Sequence, residues 1–177
     1  RNLATWSSSG TSVSGFITKP LGDGPFSAVL VLHTRGGLGT HEHLQASLLA
    51  DRGYVALAPD FFTPEGITPQ SFDLSTTLTV HVDRIREHVS GGIECLKSLA
   101  YVDSGRIGTV GFSLGGYFGL LVGARDDVKA VVSYYGAYHG SGASRVPTKY
   151  AFTDVAAQVS ARVLMFHGDA DSEVNIM

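Results

Sequence analysis

A serine between glycines is the clearest sign of chemistry in this 177-residue sequence. In the stretch RIGTVGFSLGGYFGLL, Gly111, Ser113 and Gly115 satisfy the pattern G-x-S-x-G. An apolar run precedes the pattern and a helix-like run follows it, and this is the context in which the pattern marks a nucleophile. A cramped strand-to-helix turn lifts the hydroxyl clear of the sheet, and flanking glycines leave room for it. Ser113 is therefore predicted to be the nucleophile of an acyl-transfer reaction.

Two simpler interpretations of the same glycines were weighed. They could form a plain strand-to-helix turn with an incidental serine, or a loop that cradles phosphate. The spacing of Gly108, Gly111 and Gly115 does not give G-x-G-x-x-G, and no G-K-S/T follows. A nucleotide-binding loop is therefore poorly supported.

A serine hydroxyl is a weak nucleophile and needs a base, which an acid in turn orients. In α/β-hydrolases the acid follows a later strand of the sheet, and the histidine base follows the acid. The strand-like run VLMFH leads into GDADSEV, which carries Asp169 and Asp171. Asp171 is the preferred acid and Asp169 the alternative, although aspartates are also common in ordinary turns.

The glycine-rich segment HTRGGLG follows the strongest predicted strand and suits an oxyanion hole. One backbone N–H is expected from Leu114, directly after the nucleophile, and the other from Arg35 or Gly36. A plain flexible turn is the alternative explanation of these glycines.

The elements that would position these groups appear as short apolar runs alternating with helix-period segments. This alternation is typical of βαβ units on a mostly parallel, doubly wound sheet with helices on both faces, and it predicts the α/β class and an α/β-hydrolase fold. Strands are predicted at 12–18, 26–33, 54–60, 106–112, 128–136 and 161–167, and helices at 41–52, 78–100, 114–125 and 153–158. Segment 60–77 is expected to be a long loop that lines or covers the site.

Two finer expectations follow from local patterns. Leu44, Leu48 and Leu49 lie on one side of the helix predicted over 41–52 and are expected to form its apolar face. The serine-rich start, Ser7–Ser9, is predicted to be a frayed terminus.

Composition excludes several other classes of protein. With 44% hydrophobic and 16% charged residues the chain suits a single globular domain. A net charge of −3 argues against a nucleic-acid partner or an anionic membrane surface, and no apolar run reaches the roughly 20 residues of a membrane span. The lone cysteine, Cys95, excludes an internal disulfide, suits a buried position and favours a cytoplasmic location. No metal-binding pattern is visible, and the oligomeric state stays open.

Four blocks carry a family resemblance: VLHTRGGLGTHEHLQASLLADRGYVALAPDFF, DSGRIGTVGFSLGGYFGLL, AVVSYYG and VLMFHGDADSEV. Together, from about Val13 onward, they resemble the dienelactone hydrolase family of α/β-hydrolases. The resemblance implies a single-domain, cofactor-free hydrolase of small carboxylic esters or lactones. It also implies Ser113 as nucleophile, Asp171 as acid, and Leu114 and Arg35 as the oxyanion donors.

The chain departs from the family in three ways. The namesake enzymes use a cysteine where this sequence has Ser113 and a glutamate where it has Thr34, so the resemblance points to serine-bearing, esterase-like relatives. The family's histidine follows the acid, and no histidine follows Asp171. We therefore expect residues 1–177 to be one α/β-hydrolase domain that is incomplete at its C-terminus and possibly at its N-terminus. It would lack the final strand and helix, leave its last strand as an exposed edge, and be nearly inactive alone. A thioesterase or peptidase on the same fold, or a non-catalytic binding protein, are the alternatives.

The remaining candidates are histidines and aromatic residues. His33 is expected to have a structural role, and His41 and His43 are expected to face solvent. His81 and His88 should lie on an exposed or partly buried side of the long helix. His167 should pack beside the acid. Phe62, Tyr135, Tyr138 and His139 are candidates for lining a substrate cleft.

Overall fold

One seven-stranded sheet organises the structure, a computed structural model that describes residues 2–137 and 148–174. The strands are β1 (Leu3–Ser8), β2 (Thr11–Thr18), β3 (Phe26–Leu32), β4 (Val55–Pro59), β5 (Val102–Phe112), β6 (Val128–Tyr134) and β7 (Arg162–Phe166). They lie in the order β1-β2-β4-β3-β5-β6-β7. The pairs from β4 to β7 are parallel, whereas β2 pairs antiparallel with both β1 and β4. The predicted mostly parallel sheet is confirmed.

Helices cover both faces of this sheet. They are α1 (Thr40–Asp51), α2 (Leu74–Thr76), α3 (Val82–Lys97), α4 (Leu114–Gly123) and α5 (Phe152–Ala156), with a 3-10 turn at Thr63–Glu65 and a π-helical turn at Thr77–His81. One face packs α3, α4 and α5 against residues such as Leu30 and Leu32, and the other packs α1 against Val31. Neighbouring residues of β3 thus alternate between two cores, as a strand covered on both faces requires.

The serine-rich start is part of the sheet, so the prediction of a frayed terminus is wrong. Ser9 and Gly10 form a two-residue hairpin turn with φ of 50° and 77°, and β1 pairs with β2 from Leu3↔Phe16 to Ser8↔Thr11. Positive φ at both central residues is what a type I′ turn needs, and such turns suit the twist of a hairpin. The pair Ser9-Gly10 is therefore the feature of the sequence that indicates a hairpin here.

Helix α1 buries only part of the side predicted. Leu49 packs against the core as expected, but Leu44 and Leu48 are 54% and 39% exposed, and Glu42, Ala46 and Ala50 are the buried residues. Residues four apart share a helix face, and here that face carries small side chains that let the helix approach the sheet closely. The prediction placed the large apolar residues inward because it weighed side-chain size and not the space available.

Strand β7 is an edge of the sheet in the part of the chain that the structure describes. It pairs with β6 on one side, and Val163, Leu164, Met165 and Phe166 are 41%, 53%, 43% and 45% exposed. Unpaired backbone groups beside exposed apolar side chains favour pairing with a further strand.

A buried carboxylate joins the loop after β4 to helix α3. The Glu65 side chain is 6% exposed; its Oε1 accepts hydrogen bonds at 2.8 Å from Arg84 Nε and from His88 Nε2. Its Oε2 lies 3.1 Å from His81 Nδ1. His88 is fully buried, and its Nδ1 lies 3.0 Å from the Ser8 hydroxyl. The prediction of an exposed or partly buried His88 is therefore wrong, because partners from two distant segments enclose it.

This cluster predicts acid-sensitive stability. Burial raises the pKa of Glu65, but the hydrogen bonds from Arg84, His88 and His81 outweigh it and lower the pKa to about 2 from its ordinary 4.5. A carboxyl group with a lowered folded-state pKa stabilises the fold above its ordinary pKa and loses that contribution as the pH falls. The free energy of unfolding should therefore fall as the pH is lowered from about 4.5 to about 2, by at most about 3 kcal/mol. The loss should be smaller than this limit because Arg84 is half-exposed and solvent screens its charge.

Glu65→Gln should lower the free energy of urea unfolding at neutral pH and remove this part of the pH dependence, so that the gap to wild type narrows near about pH 3. Glu94→Gln is the control, because Glu94 is a half-exposed ion-pair partner whose loss should cost less than about 1 kcal/mol. A gap between Glu65→Gln and wild type that is the same at both pH values would contradict the assignment.

Candidate active site

Ser113 occupies a strained turn between β5 and α4. Its φ and ψ are 51° and −116°, a region that residues with side chains rarely adopt. Its N–H donates to the carbonyl of Tyr134 at 3.0 Å, and its own carbonyl accepts from the N–H groups of Gly116 at 2.9 Å and Ala137 at 3.0 Å. The bonds with Tyr134 and Ala137 tie the turn to β6 and to the segment after it. The half-buried side chain thus has the geometry that the G-x-S-x-G pattern predicts.

The glycines around Ser113 are required by close backbone approach. A Cβ at Gly111 would lie 2.2 Å from the carbonyl oxygen of Gly115, and one at Gly115 would lie 2.2 Å from the carbonyl oxygen of Leu32. The same added Cβ at Gly115 would lie 2.7 Å from the carbonyl oxygen of His33. The first turn of α4 therefore rests directly on the end of β3, where the segment predicted to form the oxyanion hole begins.

The hydrogen bonds of that segment distinguish the two candidate donors. The Gly36 N–H donates to Thr34 Oγ1 at 3.1 Å, and the Gly37 N–H donates to the Thr34 carbonyl at 3.2 Å. Within the described residues, the Arg35 N–H has no hydrogen-bond partner. Leu114 is the first residue of α4, a position whose N–H has no acceptor inside the helix. Of the two candidate donors on this segment, the Arg35 N–H is thus the one without an acceptor in the described residues, and the Leu114 N–H has none within α4.

Asp171 lies just after β7 in a turn that satisfies its carboxylate. Its Oδ1 accepts from the N–H groups of Val174 and Glu173, both at 2.9 Å, and these bonds lower the pKa of Asp171. Its Oδ2 is 3.5 Å from Nε2 of His167, which also bonds to the Val174 carbonyl. Asp169, the alternative acid, is exposed. Of the two candidate acids, Asp171 is therefore the one whose carboxylate lies near an imidazole, that of His167.

No histidine ring forms a hydrogen bond with Ser113 Oγ among the residues that the structure describes. The His41 ring packs edge-on against Phe112 with centroids 4.6 Å apart, and the His43 ring packs against Phe16 at 4.4 Å. His139 lies outside the described residues.

The four candidates for lining the cleft have different outcomes. Phe62 is 1% exposed and packs against His33 and Phe72 in the core, so it does not offer a wall to a substrate. Tyr135 follows β6, is 37% exposed and has a φ of 40°, and its N–H bonds to the Phe166 carbonyl. Tyr138 lies outside the described residues, as His139 does.

The sequence analysis did not identify Glu42, at the start of α1, as a buried carboxylate. The residue is 3% exposed and its side chain accepts the Gly39 N–H at 3.0 Å; burial, and after it the charge of Glu42, raises the pKa of Tyr135. The signal was the glutamate three residues after the helix-capping position, which is half of a capping box.

Tyr117, one turn after Ser113 on α4, is a second residue that was missed. Its hydroxyl donates to the Tyr150 carbonyl at 2.8 Å and lies 3.0 Å from the Thr148 hydroxyl, and burial raises its pKa to about 12. It fixes the chain that returns towards α5. Nothing in the local pattern distinguishes it from an ordinary core tyrosine.

Within the described ranges 2–137 and 148–174, no three His, Cys, Asp or Glu side chains are grouped to hold a metal ion. Nor does any helix there combine the length and the apolar character that crossing a bilayer demands.

A strained serine after a central parallel strand, beside an N–H-bearing loop, defines the α/β-hydrolase class. The sequence profile of the dienelactone hydrolase family matches residues 13–176, and the chain belongs to this family. The resemblance inferred from the sequence is therefore confirmed.

Three similar proteins illustrate the relationship. A protein assigned as a carboxymethylenebutenolidase in Methylorubrum extorquens is 28% identical over 172 residues, which are 93% of this chain and 58% of the relative. A Bradyrhizobium protein assigned as a 2-oxo-3-(5-oxofuran-2-ylidene)propanoate lactonase is 30% identical over 170 residues, covering 92% of this chain and 66% of that protein. The crystal structure of a protein assigned as a dienelactone hydrolase from Klebsiella pneumoniae superposes with a TM-score of 0.77 at 26% identity, over 98% of this chain and 75% of that one. The chain thus spans less than two thirds of the length of the first two relatives.

Proposed function

We propose that this protein is a hydrolase of small carboxylic esters or lactones that acts through an acyl-enzyme on Ser113. The observation that carries the proposal is the strained Ser113 turn resting on the end of β3, where the segment that carries the unbonded Arg35 N–H begins. The names of the two relatives, a carboxymethylenebutenolidase and a lactonase, support ester and lactone substrates.

The proposed reaction uses side chains and backbone groups. Ser113 Oγ attacks the carbonyl carbon of the ester while its proton passes to a histidine base, and the carbonyl oxygen becomes an oxyanion. The N–H groups of Leu114 and Arg35 stabilise that charge. The intermediate then collapses, the C–O bond to the alcohol breaks, and the histidine returns the proton to the leaving alcohol. Water repeats the sequence on the acyl-enzyme and releases the acid.

Asp171 is proposed as the acid that orients the base, since its carboxylate is only partly exposed and is held by the backbone of the turn after β7, whereas Asp169 is exposed. The base is a histidine that the described residues do not place at Ser113. An enzyme of this kind without its histidine base should hydrolyse esters only at the residual rate of an oxyanion hole and binding site, roughly 10³- to 10⁴-fold over water.

Thr34 stands where the namesake enzymes carry a glutamate, and its hydroxyl accepts the Gly36 N–H. It therefore holds the loop and brings no charge to the nucleophile.

Labelling with a fluorophosphonate probe tests the proposal on the full gene product. We expect one phosphonyl group per chain, mapped to Ser113 by peptide mass spectrometry and absent from Ser113→Ala. Ser98→Ala is the control, because Ser98 is exposed and precedes the start of β5, whereas Ser113 follows its end. A folded protein that stays unlabelled would favour the non-catalytic binding protein.

The role of His167 is tested by phosphonylation of His167→Asn. Because the His167 ring bonds to the Val174 carbonyl and not to Ser113 Oγ, we expect the rate of labelling to stay within about threefold of wild type. Loss of labelling would instead place the base at His167.

A further inference from the structure

His33 is a buried histidine at the end of β3 that the proposed reaction leaves unused. It is 0% exposed, its ring stacks on Phe61 with centroids 3.6 Å apart and planes 8° apart, and Phe62 packs edge-on at 4.7 Å. The ring is therefore held in one orientation by aromatic neighbours on two sides.

The contacts of the two ring nitrogens define the tautomer. Nδ1 lies 2.7 Å from the carbonyl oxygen of Thr34, and a carbonyl can only accept, so Nδ1 carries the proton. Nε2 is buried with no hydrogen-bond partner, as suits a lone pair and not a second N–H. Burial lowers the pKa of His33 to about 4, although the bond to Thr34 and the charge of Asp60 act in the opposite direction. The ring is thus neutral, with a fixed donor, at physiological pH.

We propose that His33 is a positioning residue for ester hydrolysis: its Nδ1–H holds the Thr34 carbonyl and so aims the Arg35 N–H at the substrate oxygen. The inference rests on the proposed function, because it assigns Arg35 as an oxyanion donor. The Thr34 C=O and the Arg35 N–H belong to one peptide plane, and in a trans peptide they point in opposite directions. Fixing the carbonyl towards the core therefore turns the N–H away from it.

The loop needs such a restraint. Rotation of the Thr34–Arg35 peptide changes ψ of Thr34 and φ of Arg35, and the two glycines that follow can absorb the resulting change in chain direction; Gly37 already adopts a φ of 77°. The Gly37 N–H bond to the same carbonyl is longer, at 3.2 Å, than the His33 bond. A rotated peptide would turn the Arg35 N–H towards the imidazole and leave the oxyanion hole with one donor.

Kinetics of His33 variants in the full gene product test this role. His33→Phe keeps a flat ring for Phe61 but removes the donor, and we expect kcat for p-nitrophenyl acetate to fall about 10- to 100-fold with KM nearly unchanged. His33→Asn places an amide N–H near the position of Nδ1 and should recover kcat to within about fivefold of wild type. His88→Asn is the matched control, because it alters another fully buried histidine outside the proposed catalytic groups. A kcat for His33→Phe no lower than that of His88→Asn would overturn the inference, as would a His33→Asn variant as slow as His33→Phe.

A second measurement needs no variant to fold. Long-range proton–nitrogen correlation spectra of the ¹⁵N-histidine-labelled wild-type protein report the tautomer of His33 directly. We expect the Nδ1–H form at neutral pH, and the Nε2–H form or an imidazolium would overturn the inference. Failure of the proposed function is distinct: hydrolysis by the wild type would then not depend on Ser113, whatever the tautomer of His33.

Discussion

Ser113→Ala is expected to lower kcat/KM for p-nitrophenyl ester hydrolysis by the full gene product about 10⁴- to 10⁶-fold. The hydroxyl is the atom that forms the covalent bond, so its removal leaves only binding and the two oxyanion donors. Because the remaining groups act as one unit with the nucleophile, Asp171→Asn in the Ser113→Ala background should cost little more. Rates are measured from release of p-nitrophenol, with active-site titration to exclude contaminating esterases.

The Ser98→Ala control should retain wild-type kinetics, since Ser98 lies near the start of β5 and Ser113 lies at its far end. Circular dichroism should show that Ser113→Ala keeps its fold, because the variant removes one half-buried oxygen that has no hydrogen-bond partner among the described residues. A loss smaller than about tenfold would exclude Ser113 as the nucleophile.

Gly115→Ala is expected to destabilise the fold by about 4 kcal/mol or more, or to prevent recovery of folded protein. The added Cβ would lie 2.2 Å from the Leu32 carbonyl oxygen and 2.6 Å from its carbon. Both atoms belong to the backbone of a buried strand, which cannot move aside as a flexible side chain could. Separating α4 from β3 would also displace the Leu114 N–H from the oxyanion segment. Urea unfolding followed by circular dichroism gives the change.

A glycine series controls for the loss of backbone freedom. At Gly119 a Cβ would lie 3.2 Å from the Thr109 hydroxyl oxygen, and at Gly168 it would meet nothing within 4 Å. The cost of alanine should therefore decrease from Gly115 to Gly119 to Gly168, with Gly168→Ala within about 1 kcal/mol of wild type. Equal costs at Gly115 and Gly168 would contradict the close approach of α4 to β3.

Much of the architecture is determined by local sequence. The alternating apolar runs located six of the seven strands to within a few residues, since a strand covered on both faces needs a continuous apolar run. The strand, glycine, serine and helix of the Ser113 turn lie within a dozen residues. That turn could be located from sequence because its steric requirements are met by immediate neighbours.

Tertiary structure alone decided which groups meet. Glu65 and His88 are 23 residues apart, and His88 and Ser8 are 80 apart, so no local pattern indicates that they bond. The choice between Arg35 and Gly36 as the free donor depends on which of their N–H groups donates to the Thr34 hydroxyl. The side of α1 that is buried depends on how that helix packs on the sheet. Periodicity reports which residues prefer burial, whereas partners and orientation follow from the packing of segments distant in the chain.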